Sequence, residues 1–416
     1  MTRPDTDPAP GAHTGPDAPP APLRFSPYDY AIHEDPYPTY ARMRDEAPLY
    51  HNPDQGFWAL SRHADVIDAF RDSARFSSSH GVSLDPSAYG PDAHRTSSFI
   101  AMDPPRHGRM RGLVSRAFTP RRVERLEPDI RALARRHLAR ALADGDELDL
   151  IGDLAGRLPM DVVSELMGVP PADRDELRRL ADLVLHREPG INDVPPAGME
   201  ASLHLVGYYA DMVAERRRRP GDDLTSALIA AELDGRRLTD DDIISFLFLM
   251  VVAGNETTTK LLGHAWYWAW KHPDQRALPF ADPGRIPDWV EETLRYDTSS
   301  QFIVRTATED VPAHGDVIPA GAPVVLMLGS ANRDPRAFPD PDRYDLDRAH
   351  DVQLASFGVG RHFCLGASLA RLEARVTLEE LVAAVADYDV DESGAERVHS
   401  ANVRGFARLP TTVVRR

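Results

Sequence analysis

The residues best placed to do chemistry lie in the segment Phe357 to Gly366, FGVGRHFCLG, which runs directly into the amphipathic stretch ASLARLEARVTLEELVAAV. Cys364 is the single cysteine of the chain, so internal disulfides, cysteine-rich zinc sites and a self-contained iron–sulfur cluster are excluded. At the start of a helix, backbone N–H groups and the positive end of the helix dipole favour a thiolate over a thiol. Gly358, Gly360 and Gly366 remove side chains so that backbone can approach a flat ligand and turn tightly around the sulfur. A thiolate so held suits metal ligation. It also suits nucleophilic attack, which needs an imidazole base aimed at the sulfur, and His362 is two residues away.

Two further groups carry chemistry at helical spacing. In VVAGNETTT, Gly254 costs a helix about 1 kcal/mol relative to alanine, and the Thr257 hydroxyl can bond back to the carbonyl of Ala253. Together with Glu256 this predicts a locally opened helix, with room for a diatomic molecule and a route for protons. In WVEETLRY, Glu292 and Arg295 are three apart and share one helix face, where they can pair.

The cysteine segment resembles the haem-binding loop of the cytochrome P450 family, Phe-x-x-Gly-x-x-x-Cys-x-Gly, matched by Phe357, Gly360, Cys364 and Gly366. The resemblance implies a mainly α, helix-rich fold with small β-sheets, haem b as cofactor, and Cys364 as the thiolate on the haem iron. The family's Ala/Gly-Gly-x-Asp/Glu-Thr stretch is matched by Ala253, Gly254, Glu256 and Thr257. It assigns Thr257 to hydrogen-bonding the dioxygen that the haem activates and Glu256, a departure from the commoner aspartate, to relaying protons toward it. Glu292 and Arg295 match the family's structural Glu-x-x-Arg pair, completed by either Arg343 or Arg348. His107, Arg111, Arg305 and His362 stand where donors to the haem propionates are expected, and Gly358 where the loop crosses the haem. Positions carried over for the substrate pocket are the Ser78 to Ser98 loop, the Leu185 to Leu205 segment, Phe246, Leu249, Met250, Val252, Gln301, Phe302, Ile303, Asn402 and Val403. The activity implied is a monooxygenase that hydroxylates or epoxidises an apolar molecule, free or tethered to a carrier protein. A peroxide-driven peroxygenase and a non-catalytic haem sensor are the alternatives within the same fold.

Elements must position these groups. Helical periodicity spans roughly Pro105–Ala117, Arg121–Asp144, Leu158–Met167, Ala172–His186, Pro196–Arg219, Asp223–Glu232 and Thr239–Lys271, with WVEETLRY and the segment after Cys364 following. An earlier helix includes Tyr40 to Asp45, and a strand-then-helix unit lies between Ala59 and Ser77. Further strands, FIVRTAT, DVIPAG and PVVLML, come late, so the β content is expected to be small and concentrated there. No linker composition interrupts Phe25 to Arg416, which predicts one folded unit of residues 25–416.

Residues 1–24, with 7 prolines, predict a disordered tail rather than a secretory signal, consistent with a cytoplasmic protein. The 416 residues carry a net charge of −17, which disfavours nucleic acid. The longest nearly apolar run, Ile243 to Ala253, has 11 residues, short of the ~20 that span a bilayer. Nothing in the chain reads as a nucleotide-binding loop or fused ferredoxin, so electrons must come from another protein, and a ferredoxin and ferredoxin reductase with NAD(P)H as donor are the expected partners. A basic patch of Arg106, Arg109, Arg111, Arg116, Arg121, Arg122 and Arg125, extended by Arg361, Arg371 and Arg375, would suit an acidic ferredoxin or flavodoxin. Two lysines, Lys260 and Lys271, against 46 arginines fit a GC-rich bacterial genome, where secondary metabolism is a natural setting.

Overall fold

The computed structural model describes residues 22–115, 118–233 and 235–416. Most of the expected tail, the end of the helix drawn to Ala117 and the basic residue Arg116 lie outside the described residues.

The organising element is the helix Asp240–Lys271. Its start is fixed by Thr239, whose hydroxyl accepts from the Asp242 N–H while the Asp242 carboxylate accepts from the Thr239 N–H. Three acids lie in the first turn and Lys271 in the last, each favourable to the helix dipole. At 32 residues it is about 48 Å long, and it is apolar on nearly every face, as a helix buried through a large core must be. Its first half, including Ile243, Phe246 and Val251, packs with helices Leu158–Met167, Arg174–Leu185 and Pro196–Arg218. Its second half, including Leu261, Ala265 and Trp266, packs with Ile286–Tyr296 and Ala367–Ala384. Small and polar residues, Ala253 to Thr259, occupy the changeover.

A third core forms on a five-stranded sheet in the order Leu49–Asn52, Phe57–Leu60, Pro323–Leu326, Ile303–Ala307, Phe76–Ser77. All neighbours are antiparallel except Phe57–Leu60 and Pro323–Leu326, where Val325 stands beside Ala59. The expectation of late β structure is therefore corrected: three strands of this sheet come from the first 77 residues. A second sheet joins Val385–Val390, Pro410–Arg415 and Glu147–Asp149.

Helix boundaries follow the periodicity closely at Leu158–Met167 and Pro196–Arg218. The single helix expected over Arg121–Asp144 is instead two, Pro120–Glu124 and Glu127–Ala141. Pro128 explains the break, because a proline opens a helix readily and interrupts one that is already running. No helix among the described residues is long and apolar enough to cross a membrane.

Candidate active site

The three cores meet around a cavity of roughly 250 Å³. Phe99 and Phe246 come from the first core, Leu261 and Leu294 from the second, and Phe70 and Leu328 from the sheet.

Cys364 opens onto this cavity from a tight loop. Gly358 and Gly360 have φ of 62° and 72°, and a Cβ on them would stand 3.3 Å from the Phe70 ring and the Phe70 carbonyl respectively. The loop lies against Phe70 because these residues are glycines. The Cys364 N–H donates to the Phe357 carbonyl at 2.9 Å, and the helix Ala367–Ala384 begins just beyond Gly366. Burial pushes the thiol up, and the Gly366 and Ala367 N–H groups with Arg111 and Arg371 pull it down without prevailing. The helix-start argument is thus corrected in net direction: desolvation wins, and a bound cation is what ionises a thiol in such surroundings.

Beside the sulfur the structure gathers cationic and imidazole groups. Arg111 donates to the Phe363 carbonyl at 2.6 Å. Arg305, buried in the strand Ile303–Ala307, donates to the Val304 carbonyl, and burial lowers it to about 10. The His107 and His362 rings lie 4.1 Å apart. Burial lowers both, with Arg111 next in effect at His107, which falls to about 4, and Arg305 next at His362. His107 Nε2 and His362 Nδ1 are buried without a hydrogen-bond partner among the described residues. Two cations and two orphaned imidazole nitrogens, ranged on one side of a thiol-bearing cavity, fit a flat group with anionic arms. Arg111, Arg305 and His362 touch the cavity, and His107 stands one layer behind His362.

On the long helix, Ala253, Gly254 and Thr257 face the cavity, and the Thr257 hydroxyl donates to the Ala253 carbonyl at 2.9 Å. The expected local opening is corrected, since the helix continues unbroken through this stretch. Gly254 serves packing instead, for a Cβ there would meet Val163 at 3.0 Å. Glu256 does not line the cavity; it is buried and paired with Lys260 at 2.8 Å, one turn along.

Glu292 and Arg295 form a buried two-pronged pair, both contacts at 2.8 Å. Arg348 supplies the third member, 3.4 Å from Glu292. Arg343 contributes its backbone carbonyl, which accepts from Arg295 and Arg348.

Of the carried-over pocket positions, Phe246, Leu249, Met250 and Ile303 lie in the cavity wall. Val252, Gln301, Phe302, Asn402 and Val403 do not. Val252 turns into the helical core, Phe302 is packed in the sheet core, and Gln301 donates to the Thr298 carbonyl. Asn402 and Val403 run beside Ser300 and Gln301 through a backbone bond and an isolated bridge. The Ser78 to Ser98 loop contributes Val82, and the Leu185 to Leu205 segment contributes no wall residue. Sequence reasoning missed Phe99, Ile100, Val163 and Glu373. Glu373 was detectable as an acid between Leu369, Leu372 and Val376 on the apolar face of its helix; burial raises it to about 8.

These features agree with comparisons to known proteins. A family model described as Cytochrome P450 matches residues 287–392. A Mycobacterium tuberculosis chain named as cytochrome P450 123 is 58% identical over 391 residues, 94% of this chain and 97% of that one. The chain belongs to the cytochrome P450 family. The Vitamin D(3) 25-hydroxylase of Pseudonocardia autotrophica is 40% identical over 91% of this chain and 94% of its own. The crystal structure of CYP109E1 from Bacillus megaterium in complex with testosterone superposes with a TM-score of 0.85, at 31% identity over 92% of this chain and 99% of that one. As a cytochrome P450 the protein is a monooxygenase, an oxidoreductase with a haem-thiolate cofactor that uses O2 and redox partners.

Proposed function

We propose that this P450, as one unit of residues 25–416 in the bacterial cytoplasm, hydroxylates or epoxidises an apolar organic molecule with electrons from a separate ferredoxin and its reductase. The observation that carries the reading is the cavity itself: Cys364 on one wall, the Thr257 hydroxyl on the long helix, and an otherwise aromatic and aliphatic lining. A relative named for vitamin D3 and a similar structure in complex with testosterone support a bulky apolar substrate. A secondary metabolite fits this description.

Haem b bound by Cys364 supplies the oxygen chemistry, in which O2, two electrons, two protons and a C–H bond become a hydroxyl group and water. The chain's own residues do the rest. Arg111, Arg305 and His362 would hold the propionates, with His107 supporting His362 from behind; Phe357, Gly358, Gly360 and Gly366 shape the loop; Ala253 and Gly254 would leave room for the oxygen; Thr257 would present a hydroxyl to it. Phe246, Leu249, Met250 and Ile303 exclude water and orient the substrate. Glu256, behind this wall, holds a proton-accepting carboxylate one residue from Thr257.

Arg109, Arg121, Arg122, Arg125 and Arg361 are exposed and form the cationic surface for an acidic ferredoxin. Arg371 and Arg375 drop out of that surface, because Glu291 pairs with Arg371 and Glu127 and Glu379 with Arg375. Arg106 lies 3.5 Å from Asp242.

The test is the absorption spectrum of the reduced, CO-treated protein, followed by product analysis with a surrogate ferredoxin, ferredoxin reductase and NADPH. The reading requires a strongly red-shifted Soret band that Cys364→Ser abolishes, and oxygenated product. Absence of the band in haem-supplied protein overturns the haem-thiolate site; product with peroxide but none with the ferredoxin system overturns the ferredoxin pathway.

A further inference from the structure

The turn that leaves the helix Ile286–Tyr296 crosses the cavity wall as Thr298, Ser299 and Ser300. It is fastened on both sides of Ser300. The Ser299 hydroxyl donates to the Thr257 carbonyl at 2.7 Å, and the Ser299 carbonyl accepts from the Arg404 N–H at 2.8 Å. Beyond Ser300, the Gln301 N–H donates to the Asn402 carbonyl at 2.8 Å and the Gln301 carbonyl accepts from the Gly329 N–H at 3.1 Å. These bonds set Ser300 opposite Val403 in an isolated antiparallel bridge, with the hydrogen bonds on either side of the pair rather than within it. In such a pair the N–H and carbonyl of each residue point away from the partner strand. Ser300 is half-buried and lines the cavity, and neither its N–H, its carbonyl nor its hydroxyl has a hydrogen-bond partner among the described residues. Polar groups on a pocket wall that the fold leaves unmet are met by what occupies the pocket.

Charge is distributed the other way. Besides Cys364 itself, the ionisable residues of the wall are Arg111, Arg305 and His362, which stand beside the sulfur, and Glu373, on the helix that follows it. The long helix and the segments facing it contribute Phe99, Phe246, Leu249, Met250 and Ile303. We propose, on the monooxygenase reading given above, that Ser300 determines specificity by binding a hydroxyl or secondary amide of the substrate, which is a neutral apolar molecule carrying such a group. The Ser300 N–H donates to the oxygen of that group, the Ser300 carbonyl accepts its O–H or N–H, and the serine hydroxyl does either. A hydrocarbon that covers Ser300 leaves these groups unpaired in a dry site and is rejected for that reason. An anion would be buried beside them with no counter-charge. Because Ser299 bonds to the Thr257 carbonyl, the turn is fixed to the long helix at the residue whose hydroxyl the reaction uses. The polar group of the substrate is thereby held at the reacting end of the cavity.

The test is optical titration of the ferric, haem-loaded protein at pH 7 with rigid probes of one shape: 1-adamantanol, 1-methyladamantane and adamantane-1-carboxylate. The first two differ only in whether the substituent can hydrogen-bond. The alcohol is expected to shift the Soret band with about tenfold higher affinity than the methyl compound, although it is the less hydrophobic of the two, and the carboxylate to bind weakest. Ser300→Ala lowers the affinity for the alcohol several-fold, does not weaken binding of the methyl compound, and keeps the CO spectrum of the native protein. A smaller preference for the alcohol persists in that variant, because the backbone groups remain. Equal affinity of the native protein for alcohol and methyl compound, an equal effect of Ser300→Ala on both, tightest binding of the carboxylate, or no binding of the alcohol overturns the proposal. Absence of the red-shifted CO band overturns the monooxygenase reading itself, whereas a normal CO band without the alcohol preference overturns only the assignment to Ser300.

Discussion

Two buried glutamates, each paired with a cation on its own helix, are anchored to very different extents. Glu292 meets Arg295 through two parallel contacts, takes a third from Arg348 and accepts the Asp345 N–H at 2.8 Å. Arg295 in turn donates to the carbonyls of Asn332, Pro341 and Arg343. This stitches the helix Ile286–Tyr296 to the irregular segment before the cysteine loop. Glu256 meets one lysine and one amide, both on its own helix. Guanidinium offers a rigid fork of donors and ammonium a point charge on a flexible stem. The Glu292 carboxylate ties two segments of the chain together, whereas the Lys260 and Asn255 contacts of Glu256 stay within one helix.

The largest effect follows from breaking the fixed site. Glu292→Ala leaves Arg295 buried without its carboxylate and is expected to cost about 3–5 kcal/mol, read by denaturant unfolding, with loss of haem-loaded protein on expression. Next, Lys260→Met leaves Glu256 buried without its counter-charge, so its folded-state pKa rises above the unfolded value. The variant therefore loses stability as pH rises, by about 1–3 kcal/mol at pH 8 and less at pH 5; parallel melting curves at the two pH values check this.

Glu373→Gln sharpens the contrast with a buried acid that has no cation partner among the described residues. Its raised pKa, about 8, means that the unfolded chain ionises first as pH increases. Native Glu373 thus costs stability progressively from the ordinary carboxylate range up to about pH 8, and the glutamine variant gains on the order of 1 kcal/mol relative to the native chain at the upper end. The smallest effect is at Arg343, which gives the Glu292 network only its backbone. Arg343→Ala is expected within about 0.5 kcal/mol of the native chain, and Arg348→Ala beyond 1 kcal/mol; equal losses would erase the distinction.

The elements most legible in the sequence were those whose signal is local. Leu158–Met167 is bounded by an apolar period that stops at Gly168, which takes φ of 84°. The helix Pro273–Ala281 escaped because it is short and contains Pro279. Val385–Val390 escaped because its alternation follows a helix without a break, so the period changes with no turn residue to mark it. A buried centre at Asp297 was equally invisible: Tyr37, Trp268 and Arg404 reach it from residues up to 260 positions away.

The sequence by itself determined the chemistry, because the glycine spacing around Cys364, the Ala253 to Thr257 stretch and the Glu292–Arg295 period are short-range patterns that dictate which groups share a turn or a face. Only the tertiary structure decided which partners those groups meet. Arg348 rather than Arg343 completes the Glu292 network, Val252 turns away from the cavity that Met250 enters, and Arg404 closes on Asp297 from a strand-rich segment more than a hundred residues later. Periodicity specifies a direction from the helix axis, whereas an ion pair or a cavity wall requires a second element at the end of that direction, and chain distance carries no record of which element that is.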